Sequence, residues 1–420
     1  MILFENISII ERYLNTLHIK DATQERQELV DAYLQAHPIK KMLYHFAEPL
    51  LKVTAFRFAV FFLCYVYFSP RGISKDKLGK NAFFFKNTNE EKLIEVLSSH
   101  VFLVRLRSSF LDKLLNILLA PLDGLYLLKM YVQFLTKRSD NEITNRLFVY
   151  VRSCEYLVWV LSGTRFFSGS KLTTVMVSTE GNPHGLAFLA CAQISKKKSV
   201  FLSHSHLPLS TAPFTADIAV LHGIAAKWAY DRGGCVFEKT YFYTHSFPKF
   251  NQSLNMRRPR VLLALSKKFS WSQLTHLIQK NNDCDFYVRY HPTAMDMFKA
   301  RREQPAHIRG ELFHPLRNIT QNIDMVWAGN SNVHLDFLSL STPSFFVPEI
   351  EAVSAERLPF LNSASLVLQW EPSLGAGENL QKFSDYSQTP HWATEYEAYC
   401  NTLDKEIQSL AFLCEKESIP

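Results

Sequence analysis

Four short polar clusters in this 420-residue sequence carry side chains able to bind an anion or move a proton. Each directly follows an apolar, β-rich run. Arg289-Tyr290-His291-Pro292 closes the run FYVRY. Proline stops a strand and fixes the backbone there, and Arg289 and His291 can both donate to phosphate oxygens. Gly329-Asn330-Ser331-Asn332 follows DMVWA and precedes a helical pattern. Gly329 permits a tight turn, and the three polar residues can cap the helix or offer donors to an anion. The first-turn amides and helix dipole would make a phosphate seat. Asp336, one turn on, can accept from ribose hydroxyls. Glu180-Gly181-Asn182-Pro183-His184 follows TTVMVS, and Ser203-His204-Ser205-His206 follows SVFLS. A carboxylate such as Glu180 or an imidazole such as His204, set in a cleft, can take the proton of an acceptor hydroxyl. His204 and His206 lie two apart on extended chain and so face opposite sides, which argues against one shared metal sphere. No metal site is expected.

These clusters need a scaffold of strands spaced by helices. Strand patterns read at 81–86, 101–106, 173–178, 199–203 and 217–221. Helical patterns read at 90–98, 105–138, 143–161, 185–194 and 223–232. Around Ser253 to Pro259 the chain turns polar and ends in proline, as a linker does. The alternation then resumes, with strands at 260–266, 286–290, 324–328, 344–347 and 366–370, and helices at 271–280 and 333–340. A further helix is expected at 391–413. Strands alternating with helices imply parallel sheets, so the fold class is α/β. Three regions are expected: a helical extension at 1–75, an α/β half at 76–252 with a helical insertion, and a second α/β half at 253–420. In such sheets ligands bind beyond the carboxyl ends of the strands, which is where all four clusters fall.

Composition narrows the classes. With 47% apolar and 20% charged residues the chain is globular. The seven cysteines are scattered, odd in number and form no CxxC, which argues against a disulfide framework and against a cysteine-rich zinc site. Glu5, Glu11 and Arg12 interrupt the N-terminal apolar residues, so no signal peptide is expected and the location reads as cytoplasmic. A net charge of +7 with no dense basic-aromatic stripe does not point to nucleic acid. The motifs GxxxxGK[ST], GxSxG, HExxH and GxGxxG are all missing. Phosphate would then be handled by arginine, histidine, serine and backbone groups, without obligatory magnesium. Two apolar stretches stand out. Val53–Phe68 is too short to span a bilayer and contains Arg57. Residues 105–138 carry an apolar helical stripe with surplus lysine and arginine and a break expected at Pro121, a pattern suited to packing or to an anionic headgroup layer.

The ordered set of motifs between Thr173 and Glu349 resembles GT-B-type transferases of bacterial surface polysaccharides. That group includes capsule and lipopolysaccharide sialyl- and Kdo-transferases and the teichoic-acid-type glycerophosphate polymerases. The matching pieces are Glu180-Gly181 before a small-residue helix, Phe201-Leu202-Ser203-His204, Ala216-Asp217, His291-Pro292, and Asn330-Ser331 with Asp336. The sequence departs in having His204-Ser205 for a histidine-glycine pair, Ser331-Asn332 for a double serine, and Asp336 for a glutamate. The resemblance implies a GT-B-like fold, two Rossmann-like domains facing a cleft, with the last helix packing back on the first half. It implies that His291, Ser331 and Asn332 hold the donor phosphate, Asp336 the ribose, and Glu180 or His204 the base role. The implied activity is transfer of a sugar from a nucleotide-activated co-substrate, CMP-linked in some relatives, to a glycan or glycolipid at the inner face of the cytoplasmic membrane. No other cofactor is implied. A phosphotransferase using a CDP-glycerol or CDP-ribitol donor, an inactive scaffold for a membrane assembly complex, and a sugar-nucleotide epimerase are the competing readings.

Overall fold

The computed structural model describes residues 6–23, 27, 30–31, 34–35, 38–69, 79–85, 101–106, 110–135, 146–178, 181–208, 211–250, 258–266, 269–291, 301–312, 319–320, 322–350, 361 and 366–402. The helix expected at 90–98, Glu180 and Pro292 lie outside them, as do residues 403–413 of the helix expected at 391–413.

The described N-terminal region includes helices α1 (Ile7–Asp21), α2 (Pro38–Leu50) and α3 (Thr54–Phe68). Six parallel strands follow, β1 (Asn81–Phe85), β2 (Phe102–Arg105), β3 (Thr174–Val177), β4 (Lys198–Leu202), β5 (Thr215–Leu221) and β6 (Val236–Phe242), in the order β2-β1-β3-β4-β5-β6. Helices α4 (Phe110–Met130), α5 (Leu147–Phe167), α6 (Pro183–Ile194) and α7 (Ile224–Arg232) connect them. The second sheet comprises β7 (Arg260–Ala264), β8 (Asp285–Arg289), β9 (Ile308–Glu311), β10 (Met325–Ala328), β11 (Ser344–Phe346) and β12 (Leu368–Gln369), in the order β12-β11-β10-β7-β8-β9. Renumbered within that sheet, this is the 3-2-1-4-5-6 order of dinucleotide-binding sheets, and its switch point falls between β7 and β10. Helices α8 (Trp271–Lys280), α9 (Val333–Leu338), α10 (Ala376–Ser387) and α11 (Pro390–Tyr399) complete it. Two parallel α/β sheets, the GT-B-like arrangement expected, are therefore present.

The interior strands form because both faces are covered. All four residues of β10 and four of five in β1, β4 and β7 are buried, so they read as unbroken apolar runs. Two aspartates register strand starts. Asp217 accepts from the Ser199 amide at 2.6 Å and from its hydroxyl at 2.8 Å, and Asp324 accepts from the Arg260 amide at 2.7 Å. Helix α5 is buried almost all round, which suits a central helix. Its Gly163 lets α6 approach, since a Cβ there would lie 2.7 Å from the Cys191 sulfur.

The N-terminal helices share the first sheet's core. Ile10, Tyr13, Leu14, Phe61 and Tyr65 belong to one buried cluster with α5 and α6, and the Tyr13 hydroxyl donates to the Thr215 carbonyl at 2.7 Å. Buried Asp21 accepts from Arg152 Nε at 2.8 Å, and Arg152 also donates to the Gly181 carbonyl. Helix α1 and α5 therefore hold the turn after β3.

Of the 105–138 stripe, Arg105 ends β2 and Phe110–Met130 forms α4, which continues through Pro121 without the expected break. The irregularity is a π turn at Tyr131–Leu135. Phe110, Leu111, Leu114, Ile117 and Leu118 of α4 are exposed, Phe110 at 83%, as are Ile39, Met42, Leu43 and Phe46 of α2. Among the described residues no helix is long and apolar enough to cross a membrane.

The chain's end bridges the two sheets. Trp392 and Tyr396 of α11 sit in the second core, with Phe247 and Phe250 packed edge-on to Trp392. Just beyond α11, the Asn401 amide donates to the His222 carbonyl at 2.8 Å and its carbonyl accepts from the His245 amide at 2.7 Å. Gly223 makes this approach possible, since a Cβ there would lie 2.5 Å from the Ala398 carbonyl oxygen.

Candidate active site in the cleft between the sheets

Loop ends from both sheets meet in one place. On the first sheet, β4 ends at Leu202 and delivers His204 and His206, β5 ends immediately before His222, and β6 leads to His245. On the second, β8 delivers Arg289 and His291, and β10 delivers Gly329 to Asn332 at the switch point. Two direct bonds close the gap. Asn332 Nδ2 donates to the Leu207 carbonyl at 2.8 Å, and His206 Nε2 lies 3.3 Å from Asp336 Oδ1.

His204 Nδ1 lies 2.9 Å from the Ser178 carbonyl oxygen. A carbonyl only accepts, so Nδ1 carries the hydrogen and Nε2 of the neutral ring keeps a lone pair. The ring is half-buried. A pinned tautomer with a free lone pair is what a general base requires.

The second histidine of the pair lies elsewhere. His206 is buried, with Nδ1 3.4 Å from the Cys400 sulfur and its ring centroid 4.1 Å from that of His222 and 5.2 Å from that of His245. His222 Nδ1 and His245 Nε2 are 3.0 Å apart. Burial alone would push His206 down, but the Cys400 sulfur and the Asp336 carboxylate outweigh it and raise it to about 10. Burial, then the neighbouring His206, lowers His245 to about 3 and pushes His222 well down. Positive charge therefore collects on His206, facing Asp336, between two neutral rings.

On the donor side the residues divide. Burial lowers Arg289, while the Asp336 charge acts the opposite way, so both belong to one electrostatic neighbourhood. His291 is half-buried at the end of β8. The turn after β10 is held from beneath. His334 Nε2 donates to the Gly329 carbonyl at 2.8 Å, so Nδ1 accepts from the Ser344 hydroxyl at 2.7 Å. Gly329 does not use left-handed freedom, which among the described glycines belongs to Gly169 and Gly234.

The phosphate seat expected from the helix start needs correction. Helix α9 has six residues, under two turns, so its dipole is small. The Val333 amide donates to Ser331 Oγ at 3.3 Å, and the His334, Leu335 and Asp336 amides donate to the Ser331 and Asn332 carbonyls. Ser331 thus acts as a local cap and Asn332 as a clasp to the first sheet. Arg289, His291 and Asn330 stand at the same edge of the second sheet.

Sequence reasoning singled out His204 and Asp336 but missed the company of His206. His222 also stands directly after a predicted strand, and that position was the available signal, whereas His245 follows a strand that the sequence pattern did not reveal. The six described cysteines are all free and buried, Cys400 among them.

No protein-family model matches the chain, and no curated protein matches it. Three solved structures are distantly similar. The glycosyltransferase SnogD from Streptomyces nogalater has 13% identity over 59% of this chain and 74% of that one, with a TM-score of 0.36. CalG4, the calicheamicin glycosyltransferase, has 9% identity over 76% and 85%, with a TM-score of 0.40. The UDP-GlcNAc 2-epimerase from Neisseria meningitidis has 12% identity over 77% and 94%, with a TM-score of 0.43. Likenesses this distant carry no argument about chemistry, which rests on the chain's own residues.

Proposed function

We propose that the protein is a glycosyltransferase that moves a sugar from a nucleotide-activated donor to a glycan or glycolipid acceptor. The observation that carries this reading is that the Asn332–Leu207 and Asp336–His206 contacts bring together the strand ends that carry tautomer-fixed His204 on the first sheet and those of the second sheet, where Arg289 and His291 close β8. The acceptor hydroxyl gives its proton to His204 Nε2 as its oxygen bonds to the sugar carbon. The bond from that carbon to the donor phosphate breaks, and the electron pair leaves with the phosphate. Arg289 and His291 meet that growing negative charge. Asp336 holds His206 and, when the cleft opens, accepts from the donor ribose. No metal takes part in this step.

The acceptor is a surface polysaccharide or glycolipid, worked on at the cytoplasmic face of the membrane. The exposed apolar residues of α2 and α4, interspersed with Lys40, Lys41 and Lys113, support contact with an anionic headgroup layer.

A second reading is favoured by one feature. Asn332, Ser331 and Asp336 are all engaged within the protein, as in a scaffold that no longer binds donor. Thermal melts with CMP, CDP and UDP decide between them. A ligand at 100 times its Kd adds about 2.7 kcal/mol. A clear rise in Tm with CMP or UDP supports sugar transfer, a CDP-specific response moves the assignment to phosphotransfer, and no response to any of them rejects both kinds of transfer and favours the scaffold.

A further inference from the structure

Three imidazoles from three adjacent strand ends converge beside the cleft. One ligand nitrogen each of His206, His222 and His245 lies within 4.8 Å of the other two. The His222–His245 nitrogens are already 3.0 Å apart. Tetrahedral metal–nitrogen bonds of about 2.0–2.1 Å put ligand nitrogens roughly 3.3 Å apart, so a small rotation of the third ring completes the set. The arrangement is also underused as a hydrogen-bond cluster. A neutral imidazole brings one N–H, and the buried Nε2 of His222 has no hydrogen-bond partner. An ion at the centre would displace the proton that His206 carries, take its place beside Asp336 and Cys400, and draw one lone pair from each ring. The surroundings favour a cation, because the Asp336 carboxylate and the Cys400 sulfur both touch His206.

We propose that His206, His222 and His245 bind one transition-metal ion of the zinc class. Nitrogen donors favour zinc, cobalt, nickel and copper over magnesium and calcium. All three ligands stand on the first sheet's side, so the ion locks the ends of β4, β5 and β6 together whether or not the cleft is shut. The proposal does not depend on sugar transfer.

The test uses the full chain without a histidine tag, stripped with a chelator and dialysed against micromolar Zn(II) or Co(II). Elemental analysis should find about one equivalent per chain. His222→Ala and His245→Ala should each weaken binding at least about tenfold, while His276→Ala, on exposed α8 surface, should not. Circular dichroism checks folding. Less than a tenth of an equivalent in the wild type, or full binding in both histidine variants, overturns the proposal. Should the variants not fold, the wild-type Co(II) spectrum decides. Intense visible bands of a four- or five-coordinate nitrogen site support it, and the weak bands of a six-coordinate aqua ion overturn it. Nucleotide melts report on sugar transfer separately, so either idea can fail alone.

Discussion

The Nδ1 of His204 donates to the Ser178 carbonyl oxygen at 2.9 Å, tying the end of β4 to the end of β3 and fixing the ring's tautomer. A base held this way contributes through its other nitrogen. His204→Ala should lower kcat by about 10²–10⁴-fold, the range of general base catalysis, and leave the nucleotide-induced rise in Tm intact. Steady-state rates and melts on one preparation check this. A loss under tenfold removes His204 from the base role.

His291 should act on the leaving phosphate. Replacing it with alanine should cost roughly 3–4 kcal/mol of transition-state stabilisation, a loss of 10²–10³ in turnover. The circular dichroism spectrum should not change. Near-normal turnover would reject His291 as a donor-phosphate contact.

The buried pair of Asp21 and Arg152 holds the turn at Gly181. Asp21→Asn leaves the guanidinium charge buried without its counter-ion, and breaking such pairs costs about 3–5 kcal/mol. Urea denaturation should show a destabilisation of that size. A change below about 1 kcal/mol would mean that water reaches the arginine.

His334 links acid stability to the turn at Gly329. Burial lowers it to about 4 from its ordinary 6.5, and the bond to the Gly329 carbonyl opposes this weakly. The unfolded chain binds a proton that the folded chain refuses. The contribution is therefore complete above pH 6.5 and is lost as pH falls toward 4, about 3 kcal/mol in all. His334→Gln should flatten that part of the stability–pH curve, as read from denaturant midpoints between pH 7 and pH 4.5. An unchanged slope would place the acid sensitivity elsewhere.

The exposed stripe on α4 should bind anionic vesicles at low salt. Replacing Leu111 and Leu118 with serine should lower the vesicle partition constant, read by co-sedimentation, at least about a hundredfold, since each buried leucine contributes about 1.5–3 kcal/mol. Equal pelleting of variant and wild type would assign the membrane contact to another surface.

The interior of both sheets was legible because parallel strands covered on both faces read as unbroken apolar runs. Two strands escaped notice, and both are edges. Val236–Phe242 is half-exposed and carries Glu238 and Lys239, and Ile308–Glu311 contains Arg309 and Gly310. At the site, turn chemistry after strands pointed to His204, Arg289 and the Gly329 loop. The grouping of His206 with His222 and His245 was not legible, because it depends on the register of β4, β5 and β6. Asn332 looked like an anion donor in sequence and is a clasp in space, since Leu207 lies on the other half of the chain.

The chain leaves the first half after β6, and residues 400–402, just beyond α11, lie against that exit. Asn401 bonds to His245, and the Tyr396 hydroxyl donates to the Ser246 carbonyl at 3.4 Å. A single tether would act as a ball joint and allow rotation in any direction. A second segment stitched along the exit restricts that freedom. Opening of this cleft would part Asn332 from Leu207 and Asp336 from His206, and the stitched exit would guide them back to the same seat.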